Sequence, residues 1–151
     1  GIDRARCNGN LATDEYLVLE LERDVEKLLA GGQYREAAHE LYMLEKSVDM
    51  TEKCNRQLVL GMKNERAFYS GEISGEEALA EAKKLLELTY HLDNVENGGD
   101  RYRRLPFWNE MYLFNQVCTF MNRCGKAEDA LAMTERMMRS WETQMPVVPR
   151  V

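Results

Sequence analysis

The residues best suited to metal or acid–base chemistry are the two histidines and the carboxylates one helical turn away from them. Glu36 and His39 form an E-x-x-H pair, which places both side chains on one face of a helix. Helical bundles use such a pair as two ligands of a di-iron centre, which also needs a second pair and two inward carboxylates. The chain offers only Glu87 and His91, four residues apart. We therefore predict no metal site and no cofactor.

No motif for nucleophilic or phosphate chemistry accompanies these residues. The chain lacks a G-x-S-x-G elbow, a P-loop and a G-x-G-x-x-G turn. Its four cysteines form no C-x-x-C pair and no zinc-finger spacing, so we expect reduced and mostly buried thiols. These are Cys7, Cys54, Cys118 and Cys124. The sequence therefore predicts that the protein is not an enzyme, with a small helical-bundle enzyme or metal protein as the third alternative.

One basic and aromatic cluster could contact nucleic acid. It runs from Arg101 to Arg104 and is followed by Pro106, Phe107 and Trp108. Arginines and rings of this kind stack on bases and neutralise phosphates, but they also pack on helices and pair with carboxylates. The net charge of −6 argues against a chain that binds phosphate backbones. We expect any DNA contact to come from a domain outside this chain.

The elements that carry these residues are predicted to be helices throughout, because apolar residues recur at helical spacing and no run alternates as a strand does. Thr13, Thr51 and Ser74 are predicted N-caps, and Pro106 is predicted to open the fifth helix. The third helix is apolar on several sides, which predicts that it is sandwiched between neighbours. The first predicted helix follows Thr13 and is stopped by Gly31 and Gly32, and the second begins near Gln33 with an apolar stripe that reaches Val48. The third covers about 52–69, and the fourth opens at Ser74 with a stripe that reaches Thr89. The fifth runs from Pro106 to about Cys124, and the sixth has a stripe from Ala127 to Trp141.

In each consecutive pair of predicted helices, the second helix begins soon after a glycine and carries an alanine near its start. The glycine permits the positive φ that ends one helix, and the alanine lets the partner backbone come close. This repetition predicts an all-α fold, an α-solenoid of about three antiparallel helix pairs, although up-and-down bundles also use such residues. The glycine–alanine pairs are Gly32 with Ala37, Gly71 with Ala78, and Gly125 with Ala130.

The predicted organisation is an N-terminal segment over residues 1–14, the helical repeats over residues 15–145 and a tail over residues 146–151. No apolar run is long enough to span a bilayer, and the first residues lack the apolar stretch of a secretory signal. We therefore expect a cytoplasmic protein with no membrane contact. Because the chain begins with Gly1 and not with Met, we also expect it to be a piece of a longer protein.

The third helix pair, from Asn115 to Leu131, resembles a divergent tetratricopeptide repeat in its central glycine and alanine, and Tyr34 supplies the tyrosine of that motif. The whole order from Leu17 to Trp141 resembles the C-terminal regulatory region of Xre-type helix-turn-helix transcriptional regulators of Gram-positive bacteria, which include peptide pheromone receptors. The segments that carry this resemblance are Asn55-Arg-Gln57, Gly71 to Ala78, Leu85 to Thr89, and Glu110 followed by Asn115 and Gln116.

The resemblance implies a sensor and dimerisation region that binds a peptide or protein segment, with the DNA-reading domain upstream. The alternative is a free-standing protein-interaction scaffold. In a tetratricopeptide-like solenoid the first helix of each pair lines the concave groove. Amide side chains there could clamp a peptide backbone, and carboxylates would favour a basic ligand. Alignment on the three glycines makes the groove candidates Glu22, Glu26, Leu58, Glu65, Tyr112, Asn115, Thr119 and Asn122.

Methionines concentrate in the last predicted helix. Flexible methionines fill gaps in cores, but they also suit surfaces that adapt to a partner. A terminal solenoid helix normally has a polar outer side, and this one is less polar than that. We therefore expect self-association at this end, as a homodimer. The candidates are Met133, Met137, Met138, Trp141 and Met145.

Overall fold

All regular secondary structure in the described part of the chain is α-helical. The structure is a computed structural model that describes residues 15–92 and 106–142. Within these ranges there is no strand, which confirms the all-α prediction. Cys7, Thr13, the Arg101 to Arg104 cluster, Met145 and the two terminal segments lie outside the described residues. The helices are α1 (Glu15–Ala30), α2 (Tyr34–Lys46), α3 (Lys53–Tyr69), α4 (Gly75–Leu86), α5 (Trp108–Arg123) and α6 (Ala127–Glu142).

Three turns with the same hydrogen bonds link α1 to α2, α3 to α4, and α5 to α6. Gly32, Gly71 and Gly125 have φ of +71°, +78° and +76°, as their predicted role requires. The amide of Gly71 donates to the Phe68 carbonyl at 3.0 Å, and the next amide donates to the Ala67 carbonyl at 2.8 Å. The corresponding pairs occur after α1 and α5. This is a Schellman motif, in which a left-handed glycine satisfies the last carbonyls of a helix.

The alanine that follows each of these turns is buried, as predicted. Ala37, Ala78 and Ala130 each stand as the fourth residue of α2, α4 or α6. The three turn-linked pairs therefore share both a glycine that ends one helix and an alanine that is buried in the next.

The start of α4 is capped as predicted, by Ser74. Its hydroxyl accepts the Glu77 amide at 3.2 Å, and the Glu77 carboxylate accepts the Ser74 amide at 2.8 Å. These two bonds form a capping box. They lower the pKa of Glu77 below its ordinary value.

The predicted cap of α3 at Thr51 is wrong. The residue at the cap position is Glu52, whose side chain makes no capping hydrogen bond. Thr51 donates its amide to Asp49 Oδ1 at 2.9 Å and its hydroxyl to the same oxygen at 2.7 Å. The Asp49 carboxylate therefore engages Thr51 in a turn before the helix begins.

The start of α5 also differs from the prediction, because Pro106 precedes the helix and does not open it. The first residue is Trp108, and the Glu110 carboxylate accepts the Phe107 amide at 2.8 Å. An acidic side chain thus satisfies an amide that the start of a helix leaves free.

The helices form two hydrophobic clusters. Each helix packs on the next one in the chain, and α3 also packs on α5. The first cluster joins α1, α2 and α3 through buried residues that include Val25, Leu41, Leu44 and Leu58. The second joins α4, α5 and α6 through residues that include Leu86, Leu113, Phe120 and Met137. Because α3 contacts α2, α4 and α5, its predicted place between neighbours is confirmed.

The junction between the two clusters contains buried amide side chains, which the sequence did not predict. The buried Gln57 on α3 donates to the Leu85 carbonyl at 2.9 Å and to Thr89 Oγ1 at 2.8 Å, and it accepts from Asn109. Asn64, also buried, donates to the Ala78 carbonyl at 2.9 Å. A buried amide without partners is costly, so these bonds fix how α3 meets α4 and α5.

None of the helices within residues 15–92 and 106–142 is long and apolar enough to cross a membrane.

Candidate binding groove

A cavity of about 460 Å³ lies between α1, α3 and α5, at the start of α2. Two carboxylates and three tyrosines dominate its lining, and we call it the tyrosine–glutamate groove. Three of the eight sequence-predicted groove residues meet there, namely Glu26, Glu65 and Tyr112. The full lining is Glu26, Leu29, Ala30, Tyr34, Glu65, Tyr69 and Tyr112.

The groove depends on a close approach of α5 to α3 at Gly61. A Cβ atom at this position would lie 3.0 Å from Leu113 Cδ2 and 3.2 Å from Tyr112 Cε1. Only a residue without a side chain leaves both neighbours where they are. Glu65 lies one helical turn after Gly61 on α3, so the same approach brings Tyr112 to Glu65.

Glu65 is held by two side chains of α5. The Tyr112 hydroxyl donates to Glu65 Oε2. Gln116 Nε2 lies 3.5 Å from that oxygen and donates to the Gly61 carbonyl at 2.8 Å. Burial, and then the charge on Glu65, raise the pKa of Tyr112 well above its ordinary value. Tyr112 therefore stays protonated to a higher pH than an ordinary tyrosine, and it goes on donating to the Glu65 carboxylate.

The negative charge of the groove has no counter-charge within the described residues. Glu26 makes no hydrogen bond or ion pair there, and Glu65 makes no ion pair. The nearest cation along the chain to Glu26 is Lys27, and its Nζ lies 3.8 Å from Asp24 Oδ1. Arg66, the next after Glu65, pairs with Glu72 at 2.6 Å. The adjacent cations thus pair with other carboxylates, and the groove carries an uncompensated charge.

Three helix ends border the groove, and their dipoles differ in sign. The last residues of α1 and α3, Ala30 and Tyr69, bring partial negative charge, whereas Tyr34, the first residue of α2, brings partial positive charge. The preference of the groove for a cation therefore comes from Glu26 and Glu65.

A second cavity, of about 560 Å³, lies between α5 and α6. Its wall is mostly apolar, and we call it the methionine–tryptophan cavity. The Cys118 thiol lies 3.5 Å from Thr134 Oγ1. Burial raises the pKa of that thiol, and the contact with Thr134 offsets part of the rise. The lining is Met111, Phe114, Asn115, Cys118, Thr134, Met137, Met138, Trp141 and Glu142.

The remaining groove candidates lie elsewhere. Leu58 is in the first hydrophobic cluster, and Glu22 is buried with 4% of its surface exposed, so neither is an open groove position. Asn115 lines the methionine–tryptophan cavity. Thr119 is half-buried and Asn122 is exposed, and neither belongs to the lining of either cavity. The face predicted for α5 is therefore divided between two cavities, because Tyr112 lines the tyrosine–glutamate groove and Asn115 lines the methionine–tryptophan cavity.

The self-association candidates also divide by burial. Met133 and Met137 are 2% and 1% exposed and belong to the second hydrophobic cluster, so they pack inside the protein and leave no exposed surface for self-association. They follow Ala130 at helical spacing and share its inward face. Met138 is 52% exposed, and Trp141 lines the methionine–tryptophan cavity. The indole Nε1 of Trp141 is buried and has no hydrogen-bond partner among the described residues.

Sequence reasoning misses two of the groove tyrosines as lining residues, Tyr34 and Tyr69. It assigns Tyr34 to a repeat motif and Tyr69 to the apolar surface of the third helix. A signal is present for Tyr69, since it follows Glu65 by four residues and so shares its helix face. Tyr34 gives no such signal, because its place depends on the turn at Gly32.

The histidines stand apart from both cavities. Glu36 and His39 lie on α2, and neither lines the tyrosine–glutamate groove or the methionine–tryptophan cavity. His91 Nδ1 lies 2.8 Å from the Glu87 carboxylate in a local contact. Within the described ranges, no three His, Cys, Asp or Glu side chains are grouped so that they could hold a metal ion.

Comparisons with protein-family models, with curated proteins and with solved structures find no match to this chain.

Proposed function

We propose that the chain is a non-enzymatic, tetratricopeptide-like helical-repeat domain that binds a basic peptide or protein segment in the tyrosine–glutamate groove. The observation that carries this proposal is the pair of carboxylates, Glu26 and Glu65, that face a cavity with no cationic partner among the described residues. A positively charged segment would supply the missing charge.

The repeated turns support the solenoid part of the proposal. Three glycines with positive φ and three buried alanines recur in register along the chain. A solenoid of about three antiparallel helix pairs accounts for this repetition, since each pair then uses the same turn and the same close contact. Its first helices would be α1, α3 and α5, which are the three helices that border the groove.

The biological setting that we propose is the C-terminal sensor and dimerisation region of a bacterial helix-turn-helix transcriptional regulator, acting in the cytoplasm. This part rests on the resemblance in the sequence. A regulatory domain needs a ligand site and no catalytic centre, and an acidic groove would meet that need.

A peptide titration tests the proposal. The probe is a short fluorescent peptide of arginine, serine and glycine, and its counterpart carries glutamate in place of arginine. We expect the basic peptide to bind and the acidic peptide not to bind, as followed by fluorescence anisotropy. Binding of the basic peptide should weaken with added salt, because exposed charges are screened.

Two double variants locate the site. Glu26→Gln with Glu65→Gln should weaken binding of the basic peptide by about tenfold or more, since it removes two charges from the groove. Glu36→Gln with Glu128→Gln removes two exposed charges outside the groove and is the matched control. Equal losses in both variants would mean that net charge, and not the groove, binds the peptide, and would contradict the proposal.

A further inference from the structure

We propose that the tyrosine–glutamate groove is selective for arginine, and that it takes the guanidinium group of one arginine side chain in preference to a lysine ammonium. This inference rests on the proposed function, since it names the side chain by which a basic segment would be recognised. It follows from the groups left unpaired around the groove and from the rings between them.

The unpaired groups are acceptors. The Glu26 carboxylate has no partner within the described ranges, and Glu65 has hydrogen bonds at Oε2 alone. Gln116, which contacts Glu65, is buried and does not belong to the lining, so the carboxylate oxygens are the acceptors that face the groove. A ligand group that only donates hydrogen bonds is the match for such a set. Arginine supplies five donors and no acceptor.

The lining rings favour the same side chain. Tyr34, Tyr69 and Tyr112 border the carboxylates, and cations bind to the faces of aromatic rings. The protein already makes one contact of this kind, in which Lys46 Nζ lies 5.3 Å from the centroid of the Tyr42 ring. A flat guanidinium stacks on a ring while its edge donates to a carboxylate, which a compact ammonium cannot do.

Hydration separates the two cations further. An ammonium group is strongly hydrated, whereas a guanidinium is more weakly hydrated and loses less on entering a partly enclosed site. Its rigid fork also matches a carboxylate with two parallel hydrogen bonds. The Glu26 carboxylate, with neither oxygen bonded within the described ranges, is the match for that fork, and Glu65 Oε1 supplies one further acceptor.

The test uses three short fluorescent peptides that differ at one central position, which is arginine, lysine or citrulline. Citrulline keeps the shape of arginine without its charge. We expect the arginine peptide to bind about tenfold more tightly than the lysine peptide, and the citrulline peptide to bind most weakly. Equal affinity of the arginine and lysine peptides would overturn the proposal.

Two variants test the role of the rings. Tyr69→Leu should reduce the preference for arginine over lysine about threefold or more, because the ring is lost while much of its bulk is kept. Tyr42→Leu removes an exposed tyrosine outside the groove and should leave that preference unchanged. Circular dichroism confirms that each variant is folded. If Tyr69→Leu and Tyr34→Leu both retain the full preference, ring stacking is not its source and the proposal fails.

The outcomes separate this inference from the proposed function. If no basic peptide binds, both are wrong. If arginine and lysine peptides bind equally and more tightly than the acidic peptide, basic-segment binding stands and arginine selectivity is wrong.

Discussion

Tyr112 is the residue on which the groove most depends. It lies against Gly61, donates to Glu65 and lines the cavity, so it links the packing of α5 on α3 to the position of a carboxylate. Its hydroxyl can serve as a donor only while it is protonated. Burial and the charge on Glu65 raise the pKa of Tyr112 and so preserve that state.

This arrangement predicts a loss of stability at alkaline pH. A group whose pKa is raised in the folded state contributes stability that is present below its unfolded pKa, about 10 for tyrosine, and is lost as pH rises through the folded pKa. We expect the free energy of unfolding to fall from pH about 8 to about 10.5 by more in the native chain than in Tyr112→Phe. Urea unfolding at the two pH values measures both changes.

The control is Tyr42→Phe, which alters an exposed tyrosine that does not line the groove. Its free energy of unfolding should fall between the two pH values by as much as that of the native chain. The same alkaline loss in Tyr112→Phe and in the native chain would show that Tyr112 ionisation does not contribute.

At the scale of helices, the buried alanine of each turn-linked pair sets how closely two backbones approach. Ala37 is fully buried, whereas Ala38, the next residue on the same helix, is exposed. Replacing either alanine with leucine changes the helix propensity by the same small amount. Any difference in stability between the two variants should therefore come from packing.

We predict that Ala37→Leu lowers the free energy of unfolding by about 1–3 kcal/mol, because extra methyl groups must fit a filled contact. Ala38→Leu is the matched control and should change it by less than about 0.5 kcal/mol. Thermal or urea unfolding provides the comparison. A neutral result for Ala37→Leu would mean that the alanine does not lie at a close contact.

The helices and their turns could be predicted because their signals are local. Apolar spacing, the glycines at 32, 71 and 125 and the Ser74 cap act within a few residues, and the structure agrees with them. The prediction for Thr51 fails at the same local scale, since Asp49 competes for its hydroxyl and that competition depends on the turn geometry.

The hydrogen bonds of the buried amide side chains between α3 and its neighbours, and most of the groove, could not be predicted. They join residues that are far apart in the chain. Gln57 and Asn109 are 52 residues apart, and Gln116 and Gly61 are 55 apart. From sequence alone, a polar residue on a helix is predicted to be exposed, because the distant residue that would form its hydrogen bond in the core is not evident. Aligning the helices predicts Glu26, Glu65 and Tyr112, and the tyrosines beside them become evident only from the packing.

On the scale of the whole molecule, the groove lies beside the first hydrophobic cluster. Glu26 and Glu65 lie on helices of that cluster, and the side chain of Tyr112, although it comes from α5, also packs against it. The clusters meet through the amides of α3 and its neighbours, whose hydrogen bonds fix one arrangement. A ligand in the groove would contact α1, α3 and α5 together.

The most direct test of basic-segment binding in this groove is heteronuclear NMR of the labelled protein during titration with the arginine–serine–glycine peptide. We predict the largest amide shifts around Glu26, Tyr34, Tyr69 and Tyr112, and small shifts around Leu131 and Met138, which are exposed on α6. The acidic peptide should cause no shifts at the groove. Largest shifts on α6, with the groove amides unchanged, would contradict the account.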